Sequence, residues 1–254
     1  PQALVTLSAG GKRTHAVELV NLTKESLELR ASLVEWFRDL AGRDLVPSDK
    51  PPHGRSGRAW AALREETTTL RPLSRQRVIV TVSPPKTAAG ERYLALTFDR
   101  VDVQLDASPI GRARRSARLR LWVQGTGEEK AAIAAFEANR QADGTMEFVA
   151  RCRNTGDMSI QPEASFAIQR EDGNSIGKVA PMTQPAIVQA GGEGIIKAYW
   201  PRVLSPGTYR GELTLRYSGN NPPIVRRIEF SVPELPAQAP TTKPGTKETP
   251  EAGK

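Results

Sequence analysis

The sequence predicts an all-β protein: two tandem immunoglobulin-like β-sandwich domains with a disordered C-terminal tail. Three observations predict it. Residues 207–232 read GTYRGELTLRYSGNNPPIVRRIEFSV, with Tyr209, Gly211, Leu213, Leu215 and Tyr217 on one parity and Arg210, Glu212, Thr214 and Arg216 on the other. Period-two patterning around the turn Ser218–Pro223 is the mark of two antiparallel strands with one buried face. The same alternation recurs along most of the chain, punctuated by Gly and Pro. Finally, about seven short strand candidates fall in roughly the first 125 residues, the count and spacing of an immunoglobulin-like sandwich.

In chain order, Val5 and Leu7 precede Gly10-Gly11, and Val17 and Leu19 lead to Asn21. Leu27, Leu29, Ala31 and Leu33 alternate with Glu28, Arg30 and Ser32. The adjacent pair Leu33-Val34 shifts the parity before Trp36, which predicts a bulge. From Asp39 to Arg58 the chain is polar, with Pro47, Pro51, Pro52 and three glycines, and reads as a long surface loop. Trp60 to Leu63 is a short strand. Leu70-Arg71-Pro72-Leu73 turns into Val78, Val80 and Val82, and Ser83-Pro84-Pro85 ends that strand because proline cannot donate to the ladder. Tyr93 to Val103 places Leu94, Leu96 and Phe98 on one face, and Ala117 to Val123 closes the set.

The polar stretch 125–130 sets the boundary between a first domain at 1–125 and a second at 131–233. Ala131–Ala138 is alanine-rich and short, which leaves a strand and a helical turn both open. Met146–Cys152, Ala164–Ile168, Ile176–Val179, Ile187–Val188, Ile195–Trp200 and the hairpin then continue the β pattern, with a tight-turn signal at Asp172-Gly173-Asn174. Residues 234–254 are Pro, Thr, Lys, Gly and Glu with almost nothing apolar, too little to order a segment, and are read as the tail.

Composition narrows the function classes. Of the 254 residues, 36 are Lys or Arg and 28 Asp or Glu, giving a formal charge of +8 that fits either a solvated surface or an anionic partner. No apolar run approaches the ~20 residues that span a bilayer, so the chain reads as soluble, without a transmembrane segment. It begins with Pro, which suggests a processed chain whose export signal has been removed. The lone Cys152 forbids an intrachain disulfide, and it shares parity with Met146, Phe148 and Ala150, the place of a small buried hydrophobe.

Catalytic and metal chemistry find no constellation. His15 and His53 lie in unrelated contexts with no neighbouring ligands, which argues against a metal set. There is no nucleophile elbow and no phosphate loop, so neither an enzyme nor a cofactor is expected. Gly10-Gly11 and Gly191-Gly192 read as turns. Asn21-Leu22-Thr23 matches a glycosylation acceptor, a three-residue pattern that also arises by chance.

One cluster stands out. Arg112, Arg114, Arg115, Arg118 and Arg120 fall within nine residues; Arg118 and Arg120 share one face, while Leu119, Leu121 and Val123 share the other. Such a ladder serves as an edge protected by charge, or as a clamp for a partner's carboxylate. Exposed aromatics would accompany nucleic-acid binding, and Trp122 alone lies nearby, which argues against that partner.

With these elements placed, the first 125 residues resemble the N-terminal domain of periplasmic pilus-assembly chaperones of the PapD type. Residues 5–21 run strand, Gly10-Gly11, strand, ending in Val20-Asn21. Leu70-Arg71-Pro72-Leu73 and Gln76 precede a valine-rich strand, and Gly90-Glu91-Arg92-Tyr93 leads into the next. The second half is similar in arrangement, with Asn154-Thr155-Gly156 among its early strands, so the resemblance covers about 230 residues. It implies a pair of basic residues anchoring a subunit's terminal carboxylate in the cleft between domains, and a strand that completes the subunit's sheet by β-augmentation. The last strand supplies one anchor in Arg118 or Arg120. Near Val5, where the second is implied, no Arg or Lys exists, and the stretch Ile110–Ser116 is arginine-rich where apolar residues are implied.

The sequence therefore leads to a non-enzymatic, chaperone-like protein, periplasmic, secreted or at the cell surface. Its partner is another polypeptide, such as a pilus or surface-assembly subunit, bound through a strand edge. Arg112, Arg114, Arg115, Arg118, Leu119, Arg120 and Leu121 are the candidate contacts. The alternatives are a structural or adhesive component of a cell-surface assembly and, more distantly, a basic module for anionic glycan, lipid or nucleic acid.

Overall fold

The computed structural model describes residues 2–46, 54–101, 115–218 and 221–234. These fold as two β-sandwiches in tandem. The first contains strands β1 (Gln2–Leu7), β2 (Arg13–Val20), β3 (Leu27–Val34), β4 (Phe37–Arg38), β5 (Asp44–Leu45), β6 (Ala61–Leu63), β7 (Thr67–Leu70), β8 (Arg75–Val82), β9 (Glu91–Arg100) and β10 (Arg115–Val123). The second contains β11 (Ala131–Arg140), β12 (Met146–Asn154), β13 (Glu163–Arg170), β14 (Ser175–Val179), β15 (Glu193–Trp200), β16 (Gly207–Arg216) and β17 (Ile224–Val232).

In the first sandwich a five-stranded sheet in the order β1-β10-β9-β3-β7 faces a three-stranded sheet β2-β8-β6. The opening segment serves both: β1 pairs parallel with β10, and after Gly10-Gly11 the chain enters the opposite sheet, where β2 pairs antiparallel with β8. Gly10 makes the switch with φ of +69°, a conformation in which a Cβ would be costly. The core between the sheets is the parity that the sequence marks, including Val5, Val80, Val82, Leu94, Leu96, Leu119 and Leu121. Each fully buried side chain of this kind stabilises the fold by about 1.5–3 kcal/mol.

The second sandwich packs β11-β12-β15 against β14-β13-β16-β17. Its core gathers Phe136, Phe148, Phe166, Ile168, Ile196, Leu213 and Leu215, with Cys152 buried among them. The Tyr209 hydroxyl donates to the Ser205 carbonyl at 2.6 Å, the upstream backbone bond of a tyrosine corner. At the β17 edge the inward parity carries Arg226, which stays exposed and blunts pairing with another sheet.

Several details depart from the sequence expectations. The alanine-rich segment at 131 is strand, not helical turn: β11 pairs with β12, and its register shifts between Ile133 and Ala135. No bulge forms at Leu33-Val34, because both keep regular register with Leu96 and Ala95, and Trp36 simply occupies the opposite face. Ile187–Val188 makes a single bridge to Ile160 instead of a strand. The stretch from Asp39 to Arg58 is more than a surface loop, since β5 lies within it and Asp44 is tied to arginines of two other strands. Its residues 47–53, together with the tail beyond Glu234, lie outside the described residues.

Candidate functional site

Strand β9 places the site because both its faces are covered. Leu94, Leu96 and Phe98 point into the first core, while Tyr93 and Ala95 join Trp36 and Ala190 in a second, smaller apolar cluster. Ala190 belongs to the other sandwich, so this cluster is where the two units meet. Strand β10 runs beside β9 with Arg120 opposite Tyr93 and Arg118 opposite Ala95. The two arginines therefore project over the junction, and Leu119 and Leu121 project into the core.

Glu91 is the centre of the junction. It is fully buried, and its carboxylate accepts from the Arg120 guanidinium at 2.5 Å, the Ser159 amide at 3.0 Å, the Ser159 hydroxyl at 2.5 Å and the Tyr93 hydroxyl at 3.1 Å. A buried carboxylate is tolerable only when paired and hydrogen-bonded in this way. The Ala190 amide donates to the Tyr93 hydroxyl at 2.8 Å. Burial first, then the neighbouring Glu91 charge, holds that phenol well above the usual tyrosine range, so it stays protonated. Backbone bonds add to the seam: Glu91 donates to Asp157 at 2.8 Å, and Ile195 donates to Leu40 at 2.8 Å. Gly90 sits here with φ of +70°, and a Cβ would lie 2.7 Å from the Asp157 carbonyl oxygen.

Beside this seam lies a basic group. Trp36 donates through its indole to the Leu119 carbonyl at 3.3 Å and meets Tyr93 edge to face, with ring centroids 5.8 Å apart. Over its ring lie two guanidiniums, Arg38 at 6.0 Å and Arg118 at 5.9 Å, within cation–π range. Arg38 comes from β4, where its backbone amide donates to Gln189 of the second sandwich at 2.8 Å and its side chain reaches Gln2 of β1 at 3.1 Å. Desolvation lowers the pKa of both Arg38 and Arg118; the positive charge of Arg120 adds to this for Arg38, and that of Arg38 for Arg118. Three arginines thus face two carboxylates, Asp44 and Glu91.

The predicted contacts are placed as follows. Arg118 and Arg120 are brought together at the junction with side chains mostly covered, 24% and 17% exposed. Arg115 is exposed at the start of β10. Leu119 and Leu121 are buried in the first core, so they support the strand from within and offer a partner no surface. Arg112 and Arg114 lie outside the described residues. The sequence reading missed Arg38, Asp44, Glu91, Ser159 and Gln189, which are distant in the chain and meet only after the sandwiches dock. One signal was present: Glu91 has the parity of Tyr93 and Ala95 on a strand apolar on both faces, where a carboxylate demands partners.

Other candidates resolve as structure. Asn21 is buried, its amide nitrogen donating to the carbonyls of Glu25, Leu70 and Arg71 while its oxygen accepts from Thr23, so it is a turn fastener and not a glycan acceptor. Asn154 does the same in the second sandwich, bonding Met158, Val188 and Gly156. Among the described residues no His, Cys, Asp and Glu group is arranged to hold a metal ion, and no helix is long and apolar enough to cross a membrane.

The fold and the junction define a class, the paired immunoglobulin-like sandwich with a charged seam. No family model matches the chain, and no curated protein does. Among solved structures it is distantly similar to pilus-assembly chaperones. A chaperone–tip adhesin complex of CFA/I fimbriae biogenesis is 10% identical over 88% of this chain and 94% of that one, with a TM-score of 0.48. The class 5 fimbriae chaperone CfaA is 13% identical over 88% and 94%, with a TM-score of 0.44. The Pseudomonas aeruginosa CupB2 chaperone is 12% identical over 90% and 96%, with a TM-score of 0.39.

Proposed function

We propose that this protein is a non-enzymatic, chaperone-like binder of a partner polypeptide, acting in the periplasm or at the cell surface, with its domains at 1–125 and 131–233. The partner adds a strand at a sheet edge and sets a carboxylate against the arginines of the junction. The observation that carries this reading is the place of Arg118 at the margin of the five-stranded sheet. Strand β1, outermost in the order β1-β10-β9-β3-β7, pairs Gln2 with Arg118 and, among the described residues, has a partner strand on its β10 side alone. Main-chain groups left open at a sheet edge are what β-augmentation uses. Among the described residues Arg38, Arg118 and Arg120 face two carboxylates there, Asp44 and Glu91, a balance that suits one further anion.

The test is recovery of bound protein from the native host with tagged wild type, Arg118→Glu and, as a charge-matched control, Arg226→Glu on the remote β17. Arg120 is left intact because it pairs with buried Glu91. A polypeptide that co-purifies with wild type and Arg226→Glu but is lost with Arg118→Glu supports the reading. Recovery of the same material with all three refutes it.

A further inference from the structure

The end of the first sandwich remote from the junction carries apolar side chains that neither core uses. Leu22 and Leu73 are 82% and 71% exposed there, and Val20 and Val101 lie beside them, also exposed; the Val101 amide donates to the Glu28 carbonyl at 3.0 Å at the start of β3. The two leucines sit in the loops 21–26, between β2 and β3, and 71–74, between β7 and β8. These loops are fastened side by side. The Asn21 amide donates to the Ser74 carbonyl at 2.9 Å, the Leu73 amide donates to the Thr23 carbonyl at 3.1 Å, and the buried Asn21 side chain donates to the Arg71 carbonyl at 3.1 Å. Leu73 follows Pro72 with φ of +50°, a turn position that Gly fills without strain and a bulky side chain does not. Its side chain is in solvent, so no packing offsets that strain. Exposed Lys24 and Arg71 flank the pair with no ion pair among the described residues, while Arg75 is held by Glu18 at 3.1 Å. Glu25 is the one acid in the two loops.

We infer that this tip is a membrane-surface contact: Leu22 and Leu73 enter the headgroup–acyl boundary of an anionic bilayer while Lys24 and Arg71 meet its lipid phosphates. A protein interface of ordinary size takes about 800 Å² from each partner, more than two short loop ends present. A bilayer instead accepts a small projecting apolar pair to a depth of about 5–10 Å, and an anionic one also attracts its basic flanks. Two leucines or two cations alone hold a chain weakly, so the contact is reversible and needs both. The geometry leaves the rest of the molecule free. Strand β3 runs from the tip at Leu27 to Val34, which packs against the cluster of Trp36 and Tyr93 at the junction. A chain resting on lipid by this tip therefore keeps its arginines at the opposite end of the sandwich, away from the bilayer. The inference stands apart from the partner-binding reading and does not depend on it.

The test is co-sedimentation of the full chain with vesicles of mixed phosphatidylglycerol and phosphatidylcholine, and with vesicles of phosphatidylcholine alone. The variants are Leu73→Gly, Leu22→Ser/Leu73→Gly and Lys24→Gln/Arg71→Gln. Met182→Ser is the control, since it removes an equally exposed apolar side chain from the second sandwich. Wild type and Met182→Ser are expected to bind the anionic vesicles alike. The double leucine variant is expected to bind at least about tenfold more weakly, and the double cation variant to lose about fivefold per charge. Leu73→Gly weakens binding while its urea midpoint stays at or above that of wild type, because Gly relieves the positive φ; loss of binding is then not loss of fold. Equal binding of wild type and the double leucine variant overturns the proposal, since attraction of a basic chain to negative charge would explain it. So does wild-type binding to the anionic vesicles that is absent or no stronger than to phosphatidylcholine. A Leu73→Gly midpoint below wild type also overturns it, by showing that Leu73 serves the fold.

Discussion

Removing the Glu91 carboxylate is the sharpest perturbation of this molecule. Glu91→Ala removes the acceptor of four donors, the Arg120 guanidinium, both donors of Ser159 and the Tyr93 hydroxyl, of which the two hydroxyls, 2.9 Å apart, can still bond each other. Breaking a buried pair by deleting one partner costs about 3–5 kcal/mol, because the other charge stays behind. Here Arg120 keeps 17% exposure and regains some water, which favours the lower end. With urea slopes of about 1–3 kcal/mol per molar, the midpoint of the transition that includes the first sandwich falls by about 1 M or more. Glu91→Gln, which keeps the shape but loses the charge, is expected to fall between wild type and Glu91→Ala. Two of these bonds, from Ser159, cross between sandwiches, so the variant also loosens the joint, and small-angle scattering should show a broader interdomain distribution. A loss below about 1 kcal/mol with unchanged scattering refutes the claim that Glu91 organises the junction.

Two further outcomes follow from buried side chains. Asn21→Ala and Asn154→Ala each strip carbonyls of their donor and should each cost about 2–4 kcal/mol, the first seen by exchange of amides in the first sandwich and the second in the other. Equal effects on both sandwiches would contradict their local role. Cys152 is buried, and desolvation first, then Glu193, raises its thiol from 9.0 to about 11. Because the folded value lies above the unfolded one, stability is complete below pH 9 and falls as pH rises toward 11, by up to about 3 kcal/mol. Cys152→Ala should flatten that part of the urea profile; a thiol that reacts freely with an aromatic disulfide reagent at pH 7 without unfolding would contradict the burial argument.

The strands were legible because a sheet with one wet face writes its geometry into alternate residues, as in Val78, Val80 and Val82 or Leu213 and Leu215. Legibility failed where that rule is suspended. Trp36 looks like a break in parity until it is seen to face the second sandwich. The alanines of β11 give no contrast between faces, so strand and helix could not be separated by composition. Five arginines advertised the charged patch, and two of them, Arg118 and Arg120, do reach the junction. Arg38, Asp44 and Gln189 sent no comparable signal, since a polar residue beside a turn and one at a buried seam look alike in one dimension.

The sequence by itself therefore determined the class of fold, the paired sandwiches and the strand on which the basic residues sit, because those depend on contacts whose period is local. Which arginine meets which carboxylate was decided only by the tertiary structure. Arg118 finds Asp44 across 74 residues of chain and Glu91 finds Ser159 across 68. Such pairings depend on how two finished sandwiches dock, and no short-range pattern encodes that.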